Sequence, residues 1–230
     1  MNILALDTAT AACSVALWGA GALRARRFAA MTRGHAEALL PMIEETMAEA
    51  GFAYADLDAV AVTVGPGTFT GLRVGLAAAR GLALAAGVPV LGVTTLETLA
   101  HGLAPEASAG RVVVAALDAR RGEVYVQQFD AARAPLGSPQ VAAPAAVAAA
   151  LPPGPAVLVG DGAGLVAAAL GVARDDVTVA EAPRLPDAAM AVEIAARRFA
   201  AAGAVPPERP PAPLYIRPPG AKVPARGSVR

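Results

Sequence analysis

The chain has 230 residues, zero net charge and an apolar fraction of 56%, much of it alanine. That length carries one large domain or two small ones with a real core. Zero net charge leaves no overall basic footprint for nucleic acid, and the single cysteine, Cys13, excludes an internal disulfide or a zinc cluster.

Met1 to Leu6 runs straight into Asp7 with no basic leader or cleavage site, so a cytoplasmic location is expected. Ile3–Leu6 reads as a buried strand with a polar tip at Asp7 and Thr8, and Cys13–Trp18 and Ala22–Ala29 as two more strands joined by the turn Gly19-Ala20-Gly21. A helix is expected from about Gly34 to Ala50, with Leu39, Ile43 and Met47 in one column, Pro41 as a kink and Gly51 as a cap. Ala59–Val64 is an apolar strand, Gly65-Pro66-Gly67 a tight loop, and about Thr70 to Ala86 a second helix leading to the strand Pro89–Val93. The apolar run Val74–Val93 is broken by Arg80 and Pro89, whereas a membrane span wants about 20 unbroken apolar residues, so no membrane segment is expected.

This order of three meandering strands, helix, strand, helix, strand predicts an α/β fold of the actin-like ATPase (ribonuclease-H-like) superfamily, an analogy that by itself fixes no function. Residues 1–95 form the first lobe. Residues 96–204 are read as a reduced second copy, with a helix at Leu96–Leu103, strands Val112–Leu117 and Glu123–Phe129, an alanine-rich helix, the strand Val157–Val159 and a helix at Asp187–Ala202 that is free to return to the first lobe. Residues 205–230 are Pro-rich and basic, carrying Arg209, Arg217, Lys222, Arg226 and Arg230. A solvated tail is expected there, with Leu214-Tyr215-Ile216 as a local anchor.

Two motifs bear on chemistry. Asp7-Thr8-Ala9-Thr10 sits where actin-like ATPases put an acidic strand end before a phosphate-wrapping turn, but Thr8, Ala9 and Thr10 replace the glycines that let backbone approach a phosphate. The loop Gly65 to Gly67 before a helix is a second place for an anion, without the Gly-Lys-Ser/Thr of a P-loop. Asp7, Thr8, Thr10, Gly65 and Gly67 are thus candidate cleft or nucleotide residues. In the following helix Gly71 and Gly75 lie one turn apart with Ala78, Ala79 and Leu82 nearby, and such small residues let another helix approach closely. A bulky residue at Gly75 is therefore expected to block pairing and spare the fold. The histidines, His35 and His101, and the serines form no nucleophile elbow and no metal pair.

Met1–Thr10 with Cys13–Leu17, Gly34–Pro41, Gly65–Gly75, Asp118–Tyr125 and Pro213–Arg217 resemble, in order, the motifs of the TsaB (YeaZ) family. The resemblance spans nearly the whole chain, densest before residue 130 and weakest over 131–204. It implies a two-lobed, non-catalytic subunit that pairs with its paralogue TsaD, which carries the metal-binding histidines. TsaD transfers threonylcarbamoyl to N6 of adenosine 37 in tRNAs reading codons that start with A. Leu39 stands where the second histidine of a metal pair would be, so no metal site and no catalytic residue is assigned. TsaE as a further partner, a homodimer when alone, contact with tRNA through the complex and ATP or ADP at the boundary with TsaD are also implied. The pairing surface implied is the two first-lobe helices, here Leu39, Leu40, Ile43, Met47, Gly71, Leu72, Gly75, Leu76 and Ala79. The rival expectation is an enzyme of the same superfamily, either an ATP-dependent kinase or a glycopeptidase-type hydrolase.

Overall fold

The computed structural model describes residues 1–171 and 174–217. Strands β1 (Ile3–Thr10), β2 (Ala12–Gly19) and β3 (Ala22–Ala30) form an antiparallel meander. Helix α1 (His35–Ala50) then leads to β4 (Ala59–Thr63), and α2 (Phe69–Ala86) to β5 (Val90–Val93), both strands parallel to β1. The sheet order is β3-β2-β1-β4-β5. Helix α1 ends in a left-handed Gly51 whose N–H caps the last turn, the conformation glycine adopts without penalty. The helix runs through Pro41, on its exposed side, without a break.

β1 is buried along its whole length because both faces of the sheet are covered. With side chains alternating between faces, Leu4 and Leu6 pack with Val60 and Val62 against Leu39, Ile43 and Met47 of α1 and Leu76, Ala79 and Ala83 of α2. Ile3 and Ala5, with Ala59 and Ala61, face a different helix described below. By length and composition α2 would suffice for a membrane span, yet its Leu72, Leu76, Ala79 and Ala83 are spent on the sheet.

After β5 come α3 (Thr95–Gly102), α4 (Pro105–Ser108), β6 (Val112–Arg120), β7 (Glu123–Phe129), β8 (Gln140–Ala142), α5 (Pro144–Ala149), β9 (Ala156–Val159), α6 (Ala163–Leu170), β10 (Val177–Val179) and α7 (Ala188–Ala201). The second sheet, β8-β7-β6-β9-β10, repeats the first with the same strand senses. The second lobe therefore carries the full set of five strands. The sequence reading missed β8 and β10, three-residue strands at opposite edges of the sheet, and α4. The alanine-rich helix expected before Val157–Val159 is α5, and α6, after that strand, was not foreseen.

Each lobe lends its final helix to the other. Leu96 and Leu99 of α3, with Leu103 just after it, pack on Val113, Ala115 and Leu117 of the second sheet, while Ala191, Val192, Ala195 and Phe199 of α7 cover the outer face of the first. Asp187 caps α7 through the Ala189 N–H at 2.9 Å, pairs with Arg26 of β3, and the Ala188 N–H donates to Ser14 Oγ at 2.9 Å. The two exchanged helices meet at an ion pair between Glu97 and Arg198. Glu97 is also the reciprocal member of the α3 capping box with Thr94.

The tail departs from the solvated segment expected. Arg80 Nη2 donates to Pro211 O at 2.8 Å, the Leu214 N–H to Val64 O at 2.7 Å and Arg217 Nη1 to Ala119 O at 3.0 Å. Pro206, Pro207, Pro210, Pro211 and Pro213 already restrict the unbound chain, so docking costs little further entropy. Lys222, Arg226 and Arg230 lie outside the described residues.

Candidate functional site

The structure places eight of the nine expected interface residues in the chain's own core. Leu39, Ile43, Met47, Gly71, Leu72, Gly75, Leu76 and Ala79 are buried against the first sheet. Only Leu40 faces solvent, at 55% exposure. The small residues of α2 do permit a close approach, but to β1. A Cβ on Gly71 would overlap the Thr8 carbonyl oxygen and stand 2.6 Å from Thr68 Oγ1, and one on Gly75 would stand 2.6 Å from Thr8 Oγ1. Thr8 Oγ1 in turn donates to Gly71 O at 2.7 Å. A bulky residue at Gly75 is thus a core insertion that threatens the fold itself, contrary to the expectation that it would spare folding.

The same two helices nevertheless present a second face. Leu40, with Ala36, Pro41 and Glu44 around it on α1, is exposed. On α2 Ala77, Gly81 and Leu84 are exposed, and Leu84 stands 85% free. The sequence reading missed Leu84. Its signal was that α2 is apolar nearly all round, and a helix needs only one apolar side to hold a single sheet.

A second candidate is a cleft of about 400 Å³ between the lobes. Lobe 1 contributes Thr10, Gly67 and Phe69, lobe 2 Asp118, Arg120 and Asp161, and the tail Tyr215 and Arg217. Of the five cleft candidates, Thr10 and Gly67 line it, and Asp7, Thr8 and Gly65 do not. Gly65 lies beneath the tail, where a Cβ would meet Leu214 O at 2.8 Å. Asp7 is wholly buried. Its Oδ1 accepts from Thr63 Oγ1 and, at 3.3 Å, from the Ala9 N–H, while Oδ2 has no partner. Burial, helped by the charge of Asp187, pushes its pKa up to about 7 despite those hydrogen bonds.

Actin-like folds imply a nucleotide between the lobes, and the residues here do not form a phosphate cradle. Gly67 is closed onto Ala9 O, which also accepts the Thr68 N–H at 2.8 Å. In lobe 2 a Cβ on Gly160 would overlap Ala116 O, and one on Gly162 would lie 2.7 Å from the Leu117 carbonyl carbon. Asp161 Oδ1 accepts the Asp118 N–H at 2.9 Å, so a carboxylate occupies the amide a phosphate would use. Burial raises the Asp161 pKa, opposed by that bond.

The histidines serve the backbone. His35 Nε2 lies 2.9 Å from Thr10 O and His101 Nδ1 3.0 Å from Glu97 O. Among the described residues no three of His, Cys, Asp or Glu gather as a metal site.

The family model for TsaD, tRNA N6-adenosine threonylcarbamoyltransferase, matches residues 29–164. The tRNA threonylcarbamoyladenosine biosynthesis protein TsaB of Escherichia coli K12 is 47% identical over 129 residues, which are 56% of this chain and 55% of that protein. The chain thus spans about half the length of the curated relatives it matches. A solved structure, YeaZ from Pseudomonas aeruginosa, is 35% identical with a TM-score of 0.78, covering 93% of this chain and 99% of that one. Component A of (R)-2-hydroxyglutaryl-CoA dehydratase from Acidaminococcus fermentans shares the fold alone, at 11% identity and a TM-score of 0.51 over 87% of this chain and 99% of that one. With the duplicated β-β-β-α-β-α-β lobes and the exchanged helices, these matches define an actin-like ATPase fold, and the chain belongs to the TsaB (YeaZ) branch of the TsaD-related family.

Proposed function

We propose that this chain is the non-catalytic partner of a TsaD-type transferase, pairing with it through the outer face of α1 and α2 in the assembly that makes N6-threonylcarbamoyladenosine in tRNA. The observation that carries the reading is Leu84 at 85% and Leu40 at 55% exposure on neighbouring helices of one lobe. The fold does not need either side chain, and exposed apolar surface of this kind marks a place for a partner. Beside Leu40 the charged Glu44 is exposed and gives the polar rim such interfaces carry.

In this reading the inner faces of α1 and α2 are fixed by the first sheet, so the outer faces meet the partner as a rigid platform. A homodimer in the absence of the transferase uses the same face. TsaE and tRNA join through the complex, which places the protein in the cytoplasm. A nucleotide at the boundary between the subunits takes its phosphate ligands from the transferase, since the turns of this chain are closed on themselves.

Reconstitution tests the assignment. With purified transferase, accessory ATPase, activated threonylcarbamoyl donor and tRNA, omission of this chain is expected to stop formation of the modified nucleoside. Undiminished modification in its absence would remove the partner reading.

A further inference from the structure

The tail segment 211–217 touches both lobes through contacts that the fold does not require. On lobe 1 it lies in two gaps left by glycine. Gly92 admits Pro211, whose Cβ a side chain at 92 would meet at 2.8 Å, and Gly65 admits Leu214. The Leu214 N–H is bonded to Val64 O at 2.7 Å, at the end of β4. Tyr215 stacks on Phe69 at 5.6 Å between centroids and an interplanar angle of 27°. Its hydroxyl receives Arg73 Nε at 3.2 Å, and the Arg73 guanidinium lies 3.6 Å over the Phe69 ring.

Two residues further on, the chain has reached lobe 2. Arg217 Nη1 donates to Ala119 O at 3.0 Å, its guanidinium pairs with Glu123, and it lies 5.9 Å from the Tyr125 ring centroid. These groups flank the β6–β7 turn, where Arg120, Arg121 and Gly122 all have positive φ of 61°, 58° and 75°. Consecutive left-handed residues are costly outside glycine, and Arg217 holds the carbonyl immediately before them. Tyr215 and Arg217 also line the interlobe cleft. Apart from the α3–α7 joint, the strap is a second tie between the lobes, placed at the cleft.

We propose that Pro211–Arg217 is an interlobe strap that fixes the opening of the cleft, anchored on lobe 1 by Leu214 and Tyr215 and on lobe 2 by Arg217. A patch of arginines and aromatics also suits a single-stranded nucleic acid. Here Phe69, Tyr215 and Arg73 spend their stacking on one another, and Arg217 is paired with Glu123, so the cluster holds the tail. Small interlobe contacts permit relative motion by default, and the strap removes that freedom at the cleft.

The test is the distance between spin labels on the two lobes of the full chain, at Arg24→Cys and Ala168→Cys, both exposed sites. Cys13 is buried and stays unlabelled. The unaltered strap is expected to give one narrow distribution. Arg217→Ala, Tyr215→Ala and a chain ending at Pro210 are each expected to broaden and displace it while melting cooperatively. Identical distributions in all four proteins would overturn the strap. Should the variants fail to fold, hydrogen exchange of the Leu214 amide in the unaltered chain decides. Protection supports the docked strap, and exchange at the rate of an unfolded chain overturns it.

Discussion

Replacing Gly71 by alanine is expected to destabilise the protein by about 3 kcal/mol or more, at the upper end of what a single added methyl does in a packed core. The cause is local and rigid. The new Cβ would overlap the Thr8 carbonyl oxygen, backbone of the central strand, and stand 2.6 Å from the capping hydroxyl of Thr68. That hydroxyl cannot yield freely, because it accepts the Gly71 N–H at 3.1 Å. Gly81, on the same helix, has nothing within 4 Å of its position. Gly81→Ala is therefore expected to raise stability by about 0.5–1 kcal/mol through helix propensity alone. Urea denaturation of the two variants beside the parent checks the pair. A Gly71→Ala protein within 0.5 kcal/mol of the parent would mean that α2 does not sit on β1 as described.

The second large effect concerns Asp7. Its folded pKa of about 7 stands above the unfolded value of 3.8, so the native state holds the proton across that interval. Stability should fall as pH rises from about 4 to about 7 and level off above, the direction for an acid whose pKa is raised by folding. The ionisation cost at pH 8 is about 4 kcal/mol. Asp7→Asn removes it, keeps an acceptor for Thr63 and the Ala9 N–H, and leaves an amide with no partner where Oδ2 now lies, a loss of about 1–3 kcal/mol. The variant should thus be more stable than the parent at pH 8 by about 1–3 kcal/mol and less stable at pH 4, close to the unfolded pKa, where the ionisation cost is nearly gone. Denaturation midpoints at the two pH values measure the crossing. A variant destabilised equally at both would show that folding does not raise the Asp7 pKa.

The first lobe was legible because its signals are sharp. Ile3–Leu6 and Ala59–Thr63 are short apolar runs with polar tips, and the Leu39, Ile43, Met47 column has helical spacing. In the second lobe alanine flattens the contrast between faces, as in α5 and α6, and edge strands as short as Val177–Val179 carry little pattern to read. The return of α7 to the first lobe was left open by the sequence, for a different reason. It rests on contacts such as Arg26 with Asp187 and Ser14 with Ala188, far apart in sequence and without a local signature. The Gly71 and Gly75 stripe announced a close approach, which the sequence reading assigned to another helix of a partner. The element that approaches is β1, and the exposed Leu84 lies on the other side of the same helix.

The central claim is that a transferase subunit binds the outer face of α1 and α2. Calorimetric titration of a TsaD-type subunit with Leu84→Glu measures it most directly, since Leu84 is 85% exposed and the change leaves the core intact. A charge placed at the centre of the interface is expected to weaken binding on the order of 100-fold with an unchanged melting temperature. Binding by Leu84→Glu as tight as by the parent would contradict the account and place the partner elsewhere on the molecule.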